Sequence, residues 1–286
     1  MSANYSSGDG GFVRDGDNPQ ANNPQANNPQ ADELEGEARR EPYRPRHVAK
    51  VAPPSVTVSG VIGELLLTAG VVMALFVVWQ VFWTTWQAQV TMQKGLEIFQ
   101  EQVAKVPAPT TPAVEEQKRR DNPPVHQPAD DYAIFGTIHV PRWDNMAIPL
   151  AEGTFAAGLL DLGYAGHYVD TQQPGELGNF AVAGHRQTAG HNFRDVHKLQ
   201  TGDPVIVETA EAWLVYRVTS YEIVDPDQVE VIAPVPHAPG QEPTKRLMTM
   251  TTCDPEWGNT HRYIVYTEFD YWLPRDAGRP AEMGSN

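Results

Sequence analysis

Leu247-Met-Thr-Met-Thr-Thr-Cys253 and Arg262-Tyr-Ile-Val-Tyr-Thr-Glu268 are two short runs rich in apolar, β-branched and aromatic residues. Runs of this length and composition predict β-strands. If Cys253 ends one strand and Arg262 begins the next, residues 254–261 form the loop between them. Antiparallel pairing of the two strands would then place both side chains at the same end of a sheet.

Five more runs of this kind lie between residues 131 and 275, and turn signals such as Pro174-Gly175 separate some of them. They are Ile134–Val140, Met146–Leu150, Asn179–Ala183, Pro204–Thr209 and Trp213–Val224. Short helices are expected at Phe155–Leu162 and Asn192–Leu199. Seven or eight short strands with few helices indicate a mainly β domain, either a closed β-barrel or a sandwich.

A long apolar segment precedes this domain. Leu65–Trp79 carries no charge, and the apolar run continues to Trp83. As a helix rising about 1.5 Å per residue, the segment is long enough to cross a hydrocarbon core of about 30 Å. We predict one transmembrane helix over residues 59–83, with the tryptophans near its end at the lipid–water boundary.

Basic residues set the orientation of this helix. Five Lys and Arg residues lie between positions 39 and 50, whereas Lys94 is the basic residue that closely follows the helix. The positive-inside rule then places the N-terminus in the cytoplasm and residues 84–286 outside the cell.

The remaining segments have distinct compositions. Residues 1–58 contain a repeat of Asn-Asn-Pro-Gln-Ala without apolar periodicity, which predicts a disordered cytoplasmic tail. Residues 84–130 are expected to form a juxtamembrane amphipathic helix and then a Pro-rich spacer that lifts the β domain off the membrane. The domain itself is predicted at residues 131–275, and residues 276–286 form a C-terminal tail.

Charge and residue spacing exclude some classes of function. The formal net charge of −15 argues against a nucleic-acid partner, because nucleic-acid-binding proteins carry a basic face. The histidines and the single cysteine lack the spacing of zinc ligands, and no acidic pattern indicates a calcium site. We therefore predict no metal and no cofactor.

Three residues suit acyl transfer. Cys253 is the single cysteine and cannot form an intramolecular disulfide, but a thiol needs a neighbouring base or cation to react at neutral pH. His185 ends a strand-like run and can act as acid and base. Arg262 can stabilise an oxyanion. Taken singly, each residue also has an ordinary structural explanation: a buried thiol, a surface imidazole, an arginine over the barrel rim.

Together these residues resemble the sortase family of cysteine transpeptidases. The resemblance covers residues 131–272 and is greatest to class E, the housekeeping type of high-GC Gram-positive bacteria. The pieces that carry it are Ala183-Gly184-His185-Arg186, Leu247–Cys253, Arg262, Gly63-Glu64-Leu-Leu-Leu and Trp257-Gly-Asn259. The resemblance implies a sortase-type eight-stranded β-barrel with short helices.

The resemblance also implies a reaction. Cys253 attacks the threonine carbonyl of the Thr–Gly bond in a C-terminal sorting motif of the Leu-Ala-x-Thr-Gly or Leu-Pro-x-Thr-Gly type. Arg262 stabilises the oxyanion, and His185 protonates the leaving amine. Thr251, Thr252 and Tyr168 are the candidates for substrate binding or oxyanion support.

Partners and location follow from the same resemblance. The partners are secreted proteins that bear a sorting signal, the amine of a peptidoglycan precursor that resolves the thioacyl intermediate, and membrane lipid around the transmembrane helix. The location is the plasma membrane, crossed once, with the catalytic domain outside.

Asp254 departs from the class E pattern, in which a histidine often follows the nucleophile. A carboxylate aimed at the sulfur would disfavour the thiolate. Two other enzymatic functions remain open. One is a pilin-polymerising sortase, although its lid motif is missing. The other is a cell-wall L,D-transpeptidase, although Met250-Thr-Thr252 does not match its Ser-His-Gly cluster. A tethered β-domain that binds wall polymers is the non-enzymatic alternative.

Overall fold

Eight β-strands close into a barrel in the computed structural model of this chain, which describes residues 55–104, 111–128, 130–155, 157–187 and 189–284. The strands are β1 Ile134–Val140, β2 Met146–Glu152, β3 Ala165–His167, β4 Gly178–Ala183, β5 Pro204–Thr209, β6 Ala212–Val224, β7 Arg246–Asp254 and β8 His261–Pro274. Their order around the barrel is β1-β2-β3-β4-β7-β8-β6-β5, and pairing of β1 with β5 closes it. The predicted eight-stranded barrel is confirmed.

All seven predicted strands are present, and one more was missed. β3 is only three residues long and contains alanine and glycine, so it carries no strand pattern of its own; it forms by pairing with β2 and β4. β8 extends beyond its predicted end because residues 269–273 pair with the first half of β6. The two predicted helices are reduced to 3-10 turns at Leu160–Leu162 and Arg194–Lys198.

Strand directions bring three strand ends together. Among the strand pairs described, β4 with β7 is parallel and β7 with β8 is antiparallel. Parallel strands end at the same edge of a sheet, whereas the end of one antiparallel strand meets the start of the next. The ends of β4 and β7 and the start of β8 therefore meet at one end of the barrel.

The barrel interior is largely apolar, whereas the buried ion pair of Glu208 lies on the outer face of β5. Large buried side chains such as Phe180, Ile148 and Tyr216 fill the interior. Glu208 is also buried, and its carboxylate accepts a hydrogen bond from Arg275 and lies 2.8 Å from His139 Nε2. A buried charge is costly unless it is paired, so these groups stabilise the fold only as a unit.

Helix α1, Val58–Val103, is one continuous element of 46 residues. Thr57 caps it by accepting a hydrogen bond from Gly60 N at 3.2 Å. The first half exposes apolar side chains and is long and apolar enough to cross a membrane by length and composition. The predicted transmembrane segment, residues 59–83, lies in this half. The predicted disordered tail lies outside the described residues except for its last part, residues 55–58.

The second half of α1 packs on the barrel. Ala88, Gly95, Phe99 and Val103 are buried, and their spacing places them on one side of the helix. Phe99 and Val103 join an apolar cluster with Leu159 and other residues of the barrel exterior. The amphipathic helix expected after residue 84 therefore continues the apolar half without a break and attaches it directly to the barrel.

Residues 111–128, the described part of the predicted Pro-rich spacer, also lie against the barrel. Isolated bridges join Pro112 to Arg279 and Arg119 to Trp272. Asp121 accepts a hydrogen bond from Trp272 Nε1 at 3.1 Å. The described part of the predicted semi-rigid spacer therefore contacts the barrel, since proline prevents a regular ladder but not single bridges. The predicted domain boundaries remain predictions.

Replacing Phe99 with alanine should destabilise the chain by about 3–5 kcal/mol, because the ring is a large buried side chain between α1 and the barrel. Urea denaturation of the full chain in detergent micelles measures the free energy of unfolding. Gln100→Ala, on the exposed side of the same turn, is the control and should change it by less than about 0.5 kcal/mol. Equal losses in the two variants would contradict this packing.

Candidate active site

Cys253 lies one residue before the end of β7, and its free thiol is partly exposed. The strand register pairs Cys253 directly with Arg262 on β8. Directly opposed residues on antiparallel strands project from the same face, with Cβ atoms about 4.5–5.5 Å apart. The fold thus places these two residues side by side.

His185 follows the end of β4 by two residues. The parallel ladder of β4 and β7 pairs Ala183 with Thr251, and it continues with Gly184 N donating to Thr251 O at 3.2 Å. The parallel pairing therefore brings the end of β4 that leads to His185 next to the end of β7 that carries Cys253.

Side-chain alternation shows which face of the barrel these residues share. In β7, Met248 and Met250 belong to the interior core, so Thr249, Thr251 and Cys253 project outward. The Cys253 thiol therefore lies on the outer surface of the barrel, where a reaction partner can reach it.

The same alternation applies to β4. Phe180 and Val182 point into the interior core, whereas Asn179 Oδ1 accepts a hydrogen bond from Thr249 Oγ1 at 2.8 Å on the outer face. His185 lies two residues beyond β4, and its contact with Asp161, next to Leu160 of the exterior cluster that also contains Ala183, places its ring on the same side. The three candidate catalytic residues therefore share the outer face at one end of the barrel.

A carboxylate holds the ring of His185. The ring Nε2 lies 2.8 Å from Oδ1 of Asp161, on the 3-10 turn Leu160–Leu162, and the histidine side chain is 20% exposed. A hydrogen bond at one ring nitrogen orients the imidazole. Sequence analysis missed Asp161, because no motif links it to a histidine 24 positions away.

Asp254 is compensated by Arg186. Consecutive strand residues project to opposite faces, so the Asp254 carboxylate does not share the face of Cys253. Nη1 of Arg186 donates to this carboxylate and, at 3.1 Å, to the carbonyl oxygen of Cys253. Arg186 is 6% exposed, and its guanidinium lies 5.2 Å from the ring centre of Tyr263. The negative charge beside the nucleophile is therefore paired with a buried arginine, a partnership that the sequence did not reveal.

Tyr168 and Thr251 line a cavity next to Arg262. The Tyr168 hydroxyl lies 3.0 Å from Thr251 Oγ1. The cavity has a volume of about 250 Å³, and Ile264 and several residues within 224–232 complete its wall. The two sequence candidates therefore face open space beside the candidate oxyanion donor.

Thr252 has a different environment. Its Oγ1 donates to Gly184 O at 2.7 Å, so this buried hydroxyl joins β7 to the chain that follows β4.

Arg262 Nη1 donates to the carbonyl oxygens of Asn259 and His261 at 3.0 and 2.9 Å. These bonds hold the guanidinium at the start of β8.

A thiol, an imidazole and a guanidinium on one face can carry out covalent acyl transfer. The thiol supplies the nucleophile, the imidazole moves protons, and the guanidinium stabilises an oxyanion. In the part of the chain that the structure describes, no group of three or more His, Cys, Asp or Glu residues is arranged to hold a metal ion.

Known proteins resemble this chain in both sequence and fold. A family model described as a sortase domain matches residues 138–270. Sortase SrtE1 of Streptomyces coelicolor is 34% identical over 248 residues, which is 84% of this chain and 66% of that protein. Sortase SrtE2 of the same species is 32% identical over 241 residues, 82% of this chain and 87% of that protein. The structure of the SrtA sortase from Actinomyces oris has a TM-score of 0.56 and 47% identity, covering 59% of this chain and 99% of that one.

Replacing Arg186 with methionine should destabilise the fold by about 3–5 kcal/mol, because it leaves the largely buried Asp254 carboxylate unpaired. The same change should slow alkylation of Cys253 by iodoacetamide, since an uncompensated carboxylate disfavours a thiolate nearby. Urea unfolding measures the first effect, and mass spectrometry of carbamidomethylation measures the second.

The double variant Arg186→Met, Asp254→Asn should recover most of the alkylation rate. The control Arg194→Met changes an arginine that is paired with Glu256 at 3.5 Å on the surface, and it should stay within about twofold of the parent. A double variant as slow as Arg186→Met alone would refute charge compensation.

Proposed function

This chain belongs to the sortase family of cysteine transpeptidases, and from that premise we propose that it joins secreted proteins to the cell wall. The proposed substrate carries a C-terminal sorting motif of the Leu-Ala-x-Thr-Gly or Leu-Pro-x-Thr-Gly type, which is cleaved between Thr and Gly. The proposed acceptor is an amine of a peptidoglycan precursor. The similarity to SrtE1 and SrtE2 supports class E, and the housekeeping role is part of the proposal.

The observation that carries this proposal is the shared outer face of Cys253, His185 and Arg262, which follows from the strand pairing. Transfer through a thioester needs a thiol, an acid–base group and an oxyanion donor in one place. A wall-binding module needs none of the three. The L,D-transpeptidase alternative is set aside because the chain belongs to the sortase family.

In the proposed first half-reaction, the Cys253 thiolate attacks the threonine carbonyl carbon and forms a C–S bond. The carbonyl oxygen becomes an oxyanion that Arg262 stabilises. His185 enters as an imidazolium and gives its proton to the glycine nitrogen as the C–N bond breaks. Asp161 serves to orient the imidazole for this transfer. The products are a thioacyl enzyme and a free glycine amine.

In the proposed second half-reaction, the acceptor amine attacks the thioacyl carbon. A new C–N bond forms, the C–S bond breaks, and His185 takes a proton from the amine. This restores the thiolate of Cys253 and the imidazolium. The sorted protein is now attached through an amide.

We place the sorting motif in the cavity lined by Tyr168, Thr251, Arg262 and Ile264. The cavity adjoins the proposed oxyanion donor, so the bound threonine carbonyl would lie close to Cys253. Apolar side chains in its wall suit the leucine of the motif. Because the Thr252 hydroxyl is bonded to Gly184, we assign Thr252 to holding the strands together.

We propose that α1 spans the plasma membrane once, with the N-terminus in the cytoplasm and the barrel outside. The exposed apolar half and the basic residues before it support this orientation. Trp79, Trp83 and Trp86 would then lie at the outer boundary. Because the second half of α1 packs on the barrel, the active site would lie close to the membrane surface.

The full chain in nanodiscs, mixed with a Leu-Ala-x-Thr-Gly or Leu-Pro-x-Thr-Gly peptide, should form a thioacyl adduct on Cys253. Mass spectrometry of the acid-quenched protein detects the adduct, and Cys253→Ala should show none. The same mixture with an added amine should give a transpeptidated product. Absence of both the adduct and the product would contradict the proposed function.

Arg262→Ala should lower the rate of thioacyl formation by about 10²–10³-fold, because it removes the oxyanion donor. Rapid-quench kinetics with the same peptide measure this rate. Arg120→Ala, which changes an exposed arginine outside the barrel strands, is the control and should keep the parent rate. A loss in Arg262→Ala that is far smaller than predicted would assign Arg262 a structural role.

A further inference from the structure

One face of α1 becomes polar where its apolar half ends. Polar residues recur there at intervals of four, three and four positions, so they form a polar stripe on one side of the helix. The polar stripe consists of Gln80, Thr84, Gln87 and Thr91. Beside it, Trp83 lies between Trp79 and Trp86, with ring centres 5.9 and 5.3 Å apart. Polar residues at this level of a membrane-crossing helix suggest that the face lines a polar space.

The polar stripe, together with Ala88, forms one wall of a cavity of about 540 Å³. The facing wall consists of Asp161, Leu162 and Ala189. Thr91 Oγ1 donates to Leu162 O at 2.7 Å, and the Tyr164 hydroxyl donates to Thr91 O at 3.2 Å. These bonds hold α1 and the barrel at a defined separation, so the packing of α1 on the barrel fixes the walls of the cavity.

Two glycines of the barrel domain allow its backbone to pack closely against α1. A Cβ added at Gly190 would lie 3.1 Å from the Ala88 Cβ, and one added at Gly163 would lie 3.1 Å from Ala88 O. Both glycines have positive φ, +86° and +83°, which larger residues rarely adopt. The segment that follows His185 therefore packs directly on the membrane helix.

The polar groups among the partly apolar walls favour a positive charge over a negative one. Asp161 contributes a carboxylate, and the same carboxylate lies 2.8 Å from His185 Nε2. Carboxylate, amide and hydroxyl oxygens accept hydrogen bonds from an ammonium group. The described residues that line this cavity include no lysine or arginine. A primary ammonium ion therefore finds a carboxylate and hydrogen-bond acceptors here, whereas the carboxylate disfavours an anion.

We propose that this cavity binds the acceptor amine of the second half-reaction, an inference that rests on the proposed function. The amine arrives as an ammonium ion beside Asp161 and loses one proton to bulk water. Its nitrogen then attacks the thioacyl carbon, the C–N bond forms, the C–S bond breaks, and His185 takes the second proton. The products are the amide, the Cys253 thiolate and the His185 imidazolium.

The two substrates approach the catalytic residues through different cavities. The cavity beside Arg262 and the cavity at the polar stripe have no lining residue in common among the described residues. The sorted chain can therefore stay in place while the amine enters. Because the polar stripe begins level with the tryptophans, the amine is either dissolved in water or carried at the membrane surface.

The test uses the full chain in phosphatidylcholine nanodiscs with a Leu-Ala-x-Thr-Gly peptide. Two amine probes are compared: glycinamide in solution, and phosphatidylethanolamine in the nanodisc. The measured quantity is the ratio of amide product to hydrolysed peptide. Both products come from one thioacyl intermediate, so the ratio does not depend on how fast that intermediate forms.

Gln87→Trp fills the cavity and should lower this ratio at least about tenfold, because the amine loses its position next to the thioester. Gln89→Trp is the matched control, since Gln89 is exposed on α1 but outside the polar stripe. A selective loss with glycinamide identifies a dissolved amine as the ligand, and a selective loss with phosphatidylethanolamine identifies a membrane-borne one.

Equal ratios in Gln87→Trp and Gln89→Trp with both probes would overturn the acceptor site and leave the proposed function standing. Failure of the parent chain to form any thioacyl adduct would instead overturn the proposed function, and the acceptor site with it.

Discussion

The parallel pairing of β4 with β7, next to the antiparallel pairing of β7 with β8, is the constraint on which the site depends. A hydrogen-bonded ladder permits one register, and a slip of one residue would turn every side chain of β7 to the other face. In the observed register Cys253 opposes Arg262, and the chain that follows β4 leads to His185 at the same end of the barrel. Three distant segments become one site because backbone hydrogen bonds leave them no other relative position.

The two carboxylates near Cys253 and His185 are each paired with a buried or partly buried side chain. Asp254 is adjacent to Cys253 in sequence, but strand alternation directs its carboxylate to the opposite face, where Arg186 binds it. Asp161 holds the ring of His185 on the outer face. Asp254 and Asp161 therefore each have a defined partner, and no unpaired carboxylate from these two residues lies on the same face as the thiol.

Helix α1 contains the apolar span and also packs on the outside of the barrel. Its first half is exposed and apolar, whereas Phe99 and Val103 are buried against barrel residues. Contacts between Ala88 and the glycines at positions 163 and 190 connect the helix to the segment behind His185. Because α1 is one continuous helix, these contacts fix the position of the candidate active site along the helix axis.

Local pattern was sufficient to predict seven strands and the apolar span, because burial with a period of two and uncharged length are properties of short segments. The candidate site residues were proposed from their side-chain chemistry, and their roles remain predictions. Local pattern could not predict β3, whose three residues form a strand only through their neighbours. Nor could it reveal the partnership of Arg186 with Asp254 or of Asp161 with His185, since the partners are 68 and 24 positions apart. The amino-acid order thus specified which groups are available for acyl transfer. Their arrangement, and the cavities beside them, came from strand register and helix packing, because contacts between distant segments exist only once the barrel has closed.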